Sequence, residues 1–149
     1  MKTAILCYLL SLSPIEQNAI RIALGQVESG GVDTKVGRAR EVSRFQILPR
    51  VWTEVTGCTH SKAIRARASN SQSAWLVASQ IINERADSFR KVMGRWPTPS
   101  ETYGLWSRPS KMFSKIHLTY SLTHLSQRER DRCIRFQNLV EDSLKPKKP

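Results

Sequence analysis

"SPIEQNAIRIALGQVESGG" occupies residues 13 to 31. Ser13 is followed three residues later by Glu16, with Pro14 at the first helical position, which is a capping box that opens a helix. Gly30-Gly31 supplies the stop after about Ser29. Ile20, Leu24 and Val27 recur on one face of that helix, and the next position on the face, four after Leu24, is Glu28. A carboxylate on a buried stripe loses hydration, and in the last turn it also meets the negative end of the helix dipole. Both effects disfavour its charged form. A carboxylic acid held protonated is what glycosidic bond cleavage needs, because the leaving oxygen must receive a proton as the bond breaks.

Outward from this stretch, the chain reads as mainly α. Two more capping boxes, Thr98 with Glu101 and Ser126 with Glu129, open helices through "ETYGLWS" and through Cys133, Phe136 and Val140. A long amphipathic helix begins near Ser71 with the stripe Trp75, Ala78, Ile82, Ala86, Phe89 and Met93. Shorter helices are expected from Pro49 through Val55 and from Lys62 to Ala68. "VDTKVGRAREVSRFQILP" lacks helical periodicity, and a small β-hairpin or extended segment is expected there, after the first helix. A basic, irregular segment is expected from Arg108 to about Thr123.

With 149 residues and 40% apolar composition the chain suits one domain with a real core. It carries 24 Lys plus Arg against 12 Asp plus Glu, a formal charge of +12. The positive field favours a polyanionic partner: nucleic acid, an anionic membrane surface or the anionic bacterial cell wall. Cys7, Cys58 and Cys133 form no CxxC pair and no zinc spacing, so neither a metal nor another cofactor is implied. Cys58 and Cys133 remain as a disulfide pair or as two reduced core thiols. "MKTAILCYLLSLS" has the layout of a signal peptide over residues 1–12, too short to span a bilayer, and points to a periplasmic or secreted protein. Its alternative is a core-packing N-terminal segment. Residues 13–144 form the expected domain, and "KPKKP" at 145–149 a solvated basic tail.

"ESGG" at 28–31 and "SRFQILPRVW" at 43–52 together resemble the soluble lytic transglycosylase and goose-type lysozyme superfamily. Its first motif is Glu-Ser-Gly at a helix end, and its second is a Gly/Ser-x-Met-Gln-Ile-x-Pro stretch. Phe45 replaces the usual Met, Gln46 and Pro49 match, and Trp52 falls where the family often has one. The resemblance implies a lysozyme-like fold and a monomeric enzyme that cleaves peptidoglycan between N-acetylmuramic acid and N-acetylglucosamine. Glu28 would act as general acid and then as base on the muramic 6-hydroxyl, Ser29 would orient the acid or sugar, and Gln46 would hydrogen-bond substrate. The third family motif, Ala-Tyr-Asn-Ala-Gly, is replaced here by "GLWSRP", which puts Trp106 and Ser107 at the Tyr and Asn positions. Tyr103, one turn earlier, is the candidate to replace the missing hydroxyl, or is a core residue. Trp106 would stack on a pyranose face.

Glu41, thirteen residues after Glu28, is the candidate second carboxylate of a hydrolytic mechanism, with an ion pair to Arg38, Arg40 or Arg44 as its ordinary explanation. Asp33 is a weaker candidate for that role. The altered third motif also leaves open a non-catalytic peptidoglycan-binding protein. A nucleic-acid-binding helical protein satisfies the charge but shows no binding motif.

Overall fold

The computed structural model describes residues 8–146. Among them are seven α-helices: α1 (Pro14–Ser29), α2 (Pro49–Thr56), α3 (Ser61–Ala68), α4 (Ser71–Met93), α5 (Pro99–Ser107), α6 (Pro109–Met112) and α7 (Gln127–Leu144). One two-stranded antiparallel sheet pairs β1 (Phe113–Ser114) with β2 (Thr119–Tyr120). The protein is therefore mainly helical. All three capping boxes form: Ser13 with Glu16, Thr98 with Glu101 and Ser126 with Glu129 each exchange both side-chain-to-backbone hydrogen bonds.

The chain divides into two compact units. The first comprises Met1–Ile20 and Ile82–Pro149. In it α5 packs against α7, with Tyr103 stacked on Phe136 at 5.3 Å and Cys133, Phe136 and Val140 buried along one face of α7, as the spacing predicts. Gly104 lets α6 approach, since a Cβ there would lie 2.7 Å from the Met112 sulfur. Tyr8 and Leu9 are buried in this unit at 3% exposure each. The Leu9 N–H donates to Asn83, and the Tyr8 hydroxyl lies 3.2 Å from that of Thr102. Residues 8 and 9 are thus part of this unit's core, and a chain cut after residue 12 would lack them. Residues 1–7 of that segment, and residues 147–149 of the basic tail, lie outside the described residues.

The second unit is Arg21–Ile81. Leu24 and Val27 of α1 and Ala78 of α4 are buried as the stripes predict, whereas Trp75 is half-buried, and Ala23, Ala74, Val77 and Ile81, outside the stripes, are buried as well. Between α1 and α2 the chain has no helix and one antiparallel bridge, Val42 with Ile47, closed by hydrogen bonds of 2.8 and 2.9 Å. The hairpin expected here is reduced to that bridge and its four-residue turn. The sheet proper lies instead in the first unit, within the segment expected to be irregular.

Candidate active site

Glu28 lies in the last turn of α1, half-buried beside Val27. The helix ends abruptly because Gly30 and Gly31 both take left-handed backbone, φ 69° and 83°, which glycine adopts without penalty. Their amides reach back to the carbonyls of Gln26 and Gly25. The Ser29 hydroxyl donates to the Gly25 carbonyl and accepts from the Val32 N–H, each at 3.1 Å. Ser29 therefore secures the turn that carries Glu28, and its hydroxyl proton is already committed to backbone.

The segment carrying the second motif closes onto this helix end. The Arg44 Nε donates to Asp33 at 2.6 Å and its Nη2 to the Gly31 carbonyl at 3.2 Å. Its side chain and the Phe45 ring lie over Gly25, where a Cβ would sit 3.4 Å and 3.7 Å from them. A cation against the last carbonyls of a helix is favourable in the dipole field. Phe45 is fully buried, 5.7 Å from the Trp75 ring, and Val42 and Ile47 are buried on either side, so apolar burial anchors the turn. Trp52, on α2, is buried at 1%.

Gln46 is held within this turn. Its Nε2 donates to the carbonyls of Ser43 at 2.8 Å and Lys35 at 3.1 Å, so the amide nitrogen serves the loop and the amide oxygen remains the group that can meet a substrate. Arg40, Ser43 and Gln46 all have positive φ, 62°, 72° and 50°, although none is glycine. Such conformations cost roughly 1–2 kcal/mol each and persist only where surroundings enforce them.

Glu41 does not form the ion pair expected of it among the described residues. Its carboxylate accepts the Ala39 N–H at 2.9 Å, while Arg44 pairs with Asp33. Asp33 is thereby a structural partner. Glu41 and Gln46 close together on Gly37, where a Cβ would lie 2.1 Å from Glu41 Oε2 and 2.6 Å from Gln46 Oε1. Gly37 was not singled out from the sequence, and Arg44 was named there only as an ion-pair partner for Glu41. A cation within reach of a helix C-terminus was the available signal for Arg44, and for Gly37 there was none.

The other three candidates belong to the first unit. Tyr103 is buried at 1%, stacked on Phe136 with the Arg132 guanidinium over its ring at 5.6 Å, so its ring is a core group rather than a substrate contact. Trp106 is half-buried, with its carbonyl held by Arg85 and that guanidinium 5.9 Å from its ring. Ser107 is half-buried at the end of α5. Cys58 and Cys133 are both free thiols. Burial pushes the Cys133 thiol up to about 11, which makes it a poor nucleophile. Among the described residues no group of three His, Cys, Asp or Glu side chains is gathered to hold a metal ion.

Comparison of the chain with family models, with curated proteins and with solved structures finds no match.

Proposed function

We propose that this chain is a lytic transglycosylase of lysozyme-like fold that cleaves the β-1,4 bond between N-acetylmuramic acid and N-acetylglucosamine in peptidoglycan, outside the cytoplasm. The observation that carries the reading is the clasp between the two motifs. Arg44 and Phe45 of "SRFQILP" lie on the very turn that presents Glu28. A half-buried acid fixed at a helix end beside an over-determined turn is a pre-organised arrangement for one positioned proton.

In the proposed reaction Glu28 gives its proton to the glycosidic oxygen as the bond from the muramic C1 breaks. The resulting carboxylate takes the proton of the muramic 6-hydroxyl, whose oxygen bonds to C1 and closes the 1,6-anhydro ring. Glu28 ends protonated as it began, and no water is consumed. One carboxylate suffices, in keeping with a Glu41 engaged by the Ala39 amide. Gln46 offers its amide oxygen to a sugar hydroxyl or N-acetyl N–H.

A second reading, a peptidoglycan-binding protein that no longer cleaves, is favoured by one observation: Tyr103, the only candidate to replace the hydroxyl of the third motif, has its ring committed to the core. Mass analysis of fragments released from purified peptidoglycan separates the cases. Anhydro-muramic products lost in Glu28→Gln support the transglycosylase, with a drop of roughly 10²–10⁴ or more for removal of the transferable proton. Reducing-end products would indicate a hydrolase. Salt-sensitive retention on peptidoglycan with no release would indicate the binding protein, and preference for DNA over peptidoglycan would overturn both.

A further inference from the structure

The β1–β2 hairpin presents an apolar tip that the proposed reaction does not use. Its stalk is firmly held: Phe113 pairs with Tyr120 and Ser114 with Thr119, and the Tyr120 ring lies 5.0 Å from Phe113 and 5.3 Å from Phe89. The Ser121 N–H donates to the Met112 carbonyl at 2.9 Å, just below the strands. The four residues joining the strands, Lys115, Ile116, His117 and Leu118, are all exposed. Ile116 is 88% and Leu118 70% exposed, although both are large aliphatic residues.

Leu118 also sits at φ +48°, in the left-handed region where Asn or Gly would fit better. In the structure it bears that penalty without the burial that ordinarily justifies a leucine. Burial against a partner would supply the compensation. The surrounding charge selects the partner. From residue 102 to residue 128 the chain has Arg108, Lys111, Lys115 and Arg128 and no Asp or Glu. Arg108 and Lys111 pair with Glu129, whereas Lys115, at the tip itself, pairs with no described acid. The whole chain carries +12. Aliphatic side chains beside a free cation suit an anionic lipid interface, where burial and headgroup attraction act together; a sugar surface favours aromatic rings instead.

We propose that residues 115–118 dock this protein on an anionic bilayer, with Ile116 and Leu118 seated among the acyl-headgroup boundary and Lys115 against lipid phosphate. The inference does not depend on Glu28 being catalytic. It is tested by co-sedimentation of the full chain with phosphatidylglycerol/phosphatidylcholine vesicles and with phosphatidylcholine vesicles alone. The variants are Ile116→Ser and Leu118→Asn, single and combined.

Binding to the anionic vesicles is expected to exceed that to neutral ones and to fall at least about tenfold in the double variant, from the apolar area no longer buried. Asn tolerates left-handed backbone, so Leu118→Asn should keep or raise the melting temperature, which separates docking from folding; Leu118→Gly serves the same purpose. Absence of binding to anionic vesicles, equal binding to neutral ones, or unchanged binding by the folded double variant overturns the proposal. Loss of retention on purified peptidoglycan in place of vesicle binding would assign the tip to the wall and overturn it equally.

Discussion

Replacing Gly37 with alanine tests the packing of the candidate site more directly than any change to the acid. Gly37 does not have positive φ, so alanine is opposed there by space and not by backbone conformation. The new methyl would lie 2.1 Å from Glu41 Oε2, 2.8 Å from Glu41 Cδ and 2.6 Å from Gln46 Oε1. Both obstacles are the ends of flexible side chains, so they swing away while the backbone survives. Movement of the Glu41 carboxylate releases the Ala39 N–H, and movement of the Gln46 amide releases the Ser43 and Lys35 carbonyls. Hydrogen bonds of this kind contribute about 0.5–1.5 kcal/mol net, and partial solvation discounts them, so losing one to three costs about 1–3 kcal/mol in all. At about 2–4 °C per kcal/mol for a chain of this size, the melting temperature should fall by about 2–12 °C.

Activity should fall further than stability, because Gln46 would be turned from its fixed position. Thermal melting and release of muropeptide fragments, measured in parallel, read the two effects. Glu41→Ala removes the nearer obstacle, so the double variant should recover part of the loss, a coupling that a double-mutant cycle measures. Wild-type melting and wild-type activity in Gly37→Ala would refute this account of the loop. Abolished cleavage in Glu41→Ala with unchanged melting would refute its consequence, making Glu41 the second carboxylate of a hydrolase.

Two further predictions concern stability. Tyr8→Ala should destabilise by about 3–5 kcal/mol, in the range for removing a buried aromatic ring, and a chain beginning at residue 13 should melt lower still; urea titration checks both. In alkali the sign follows from burial, which raises the phenol of Tyr8 above its usual 10.0 and the thiol of Cys133 from 9.0 to about 11. A group raised by folding contributes fully below its unfolded value, so this stability should decline as pH rises from 9 towards 11 and beyond 10, and the decline should lessen in Tyr8→Phe. With Cys7 replaced by serine, the half-exposed Cys58 should react with a thiol reagent at pH 8 while Cys133 reacts only on unfolding; equal reaction rates would contradict its burial.

What the sequence made legible was whatever local chemistry determines. The three capping boxes located helix starts because each is complete within four residues, and the α4 stripe was visible because it recurs from Trp75 to Met93 in a helix of 23 residues. The strands β1 and β2 were not visible, since two residues each cannot display a period of two. Tyr103 was ambiguous for a related reason. In α5, Ser100 and the four consecutive residues from Thr102 to Leu105 are all buried, so the helix has no polar face to distinguish core from surface. Within the candidate site, Glu28 and Gln46 were legible as motif positions. The commitment of Gln46 Nε2 to two carbonyls, the reach of Arg44 to the helix end and the fit around Gly37 arise only when separated segments approach.

Backbone strain links the two surfaces to which function is assigned. Among the described residues, four that are not glycine have positive φ: Arg40, Ser43, Gln46 and Leu118. Three fall within seven residues of the turn held against the Glu28 helix, and the fourth is at the hairpin tip. Neither place lacks support, for the Val42–Ile47 bridge and buried Phe45 brace the first, and the Phe113, Tyr120 and Phe89 rings brace the second. A loop free to choose its residues would place glycine or asparagine at such positions and relieve roughly 1 kcal/mol or more at each. Arg40, Gln46 and Leu118 instead carry long side chains there, so the strained backbone sets the directions in which an amide, a guanidinium and an aliphatic group project. That expenditure is consistent with side chains retained for what they meet, and it is absent elsewhere among the described residues.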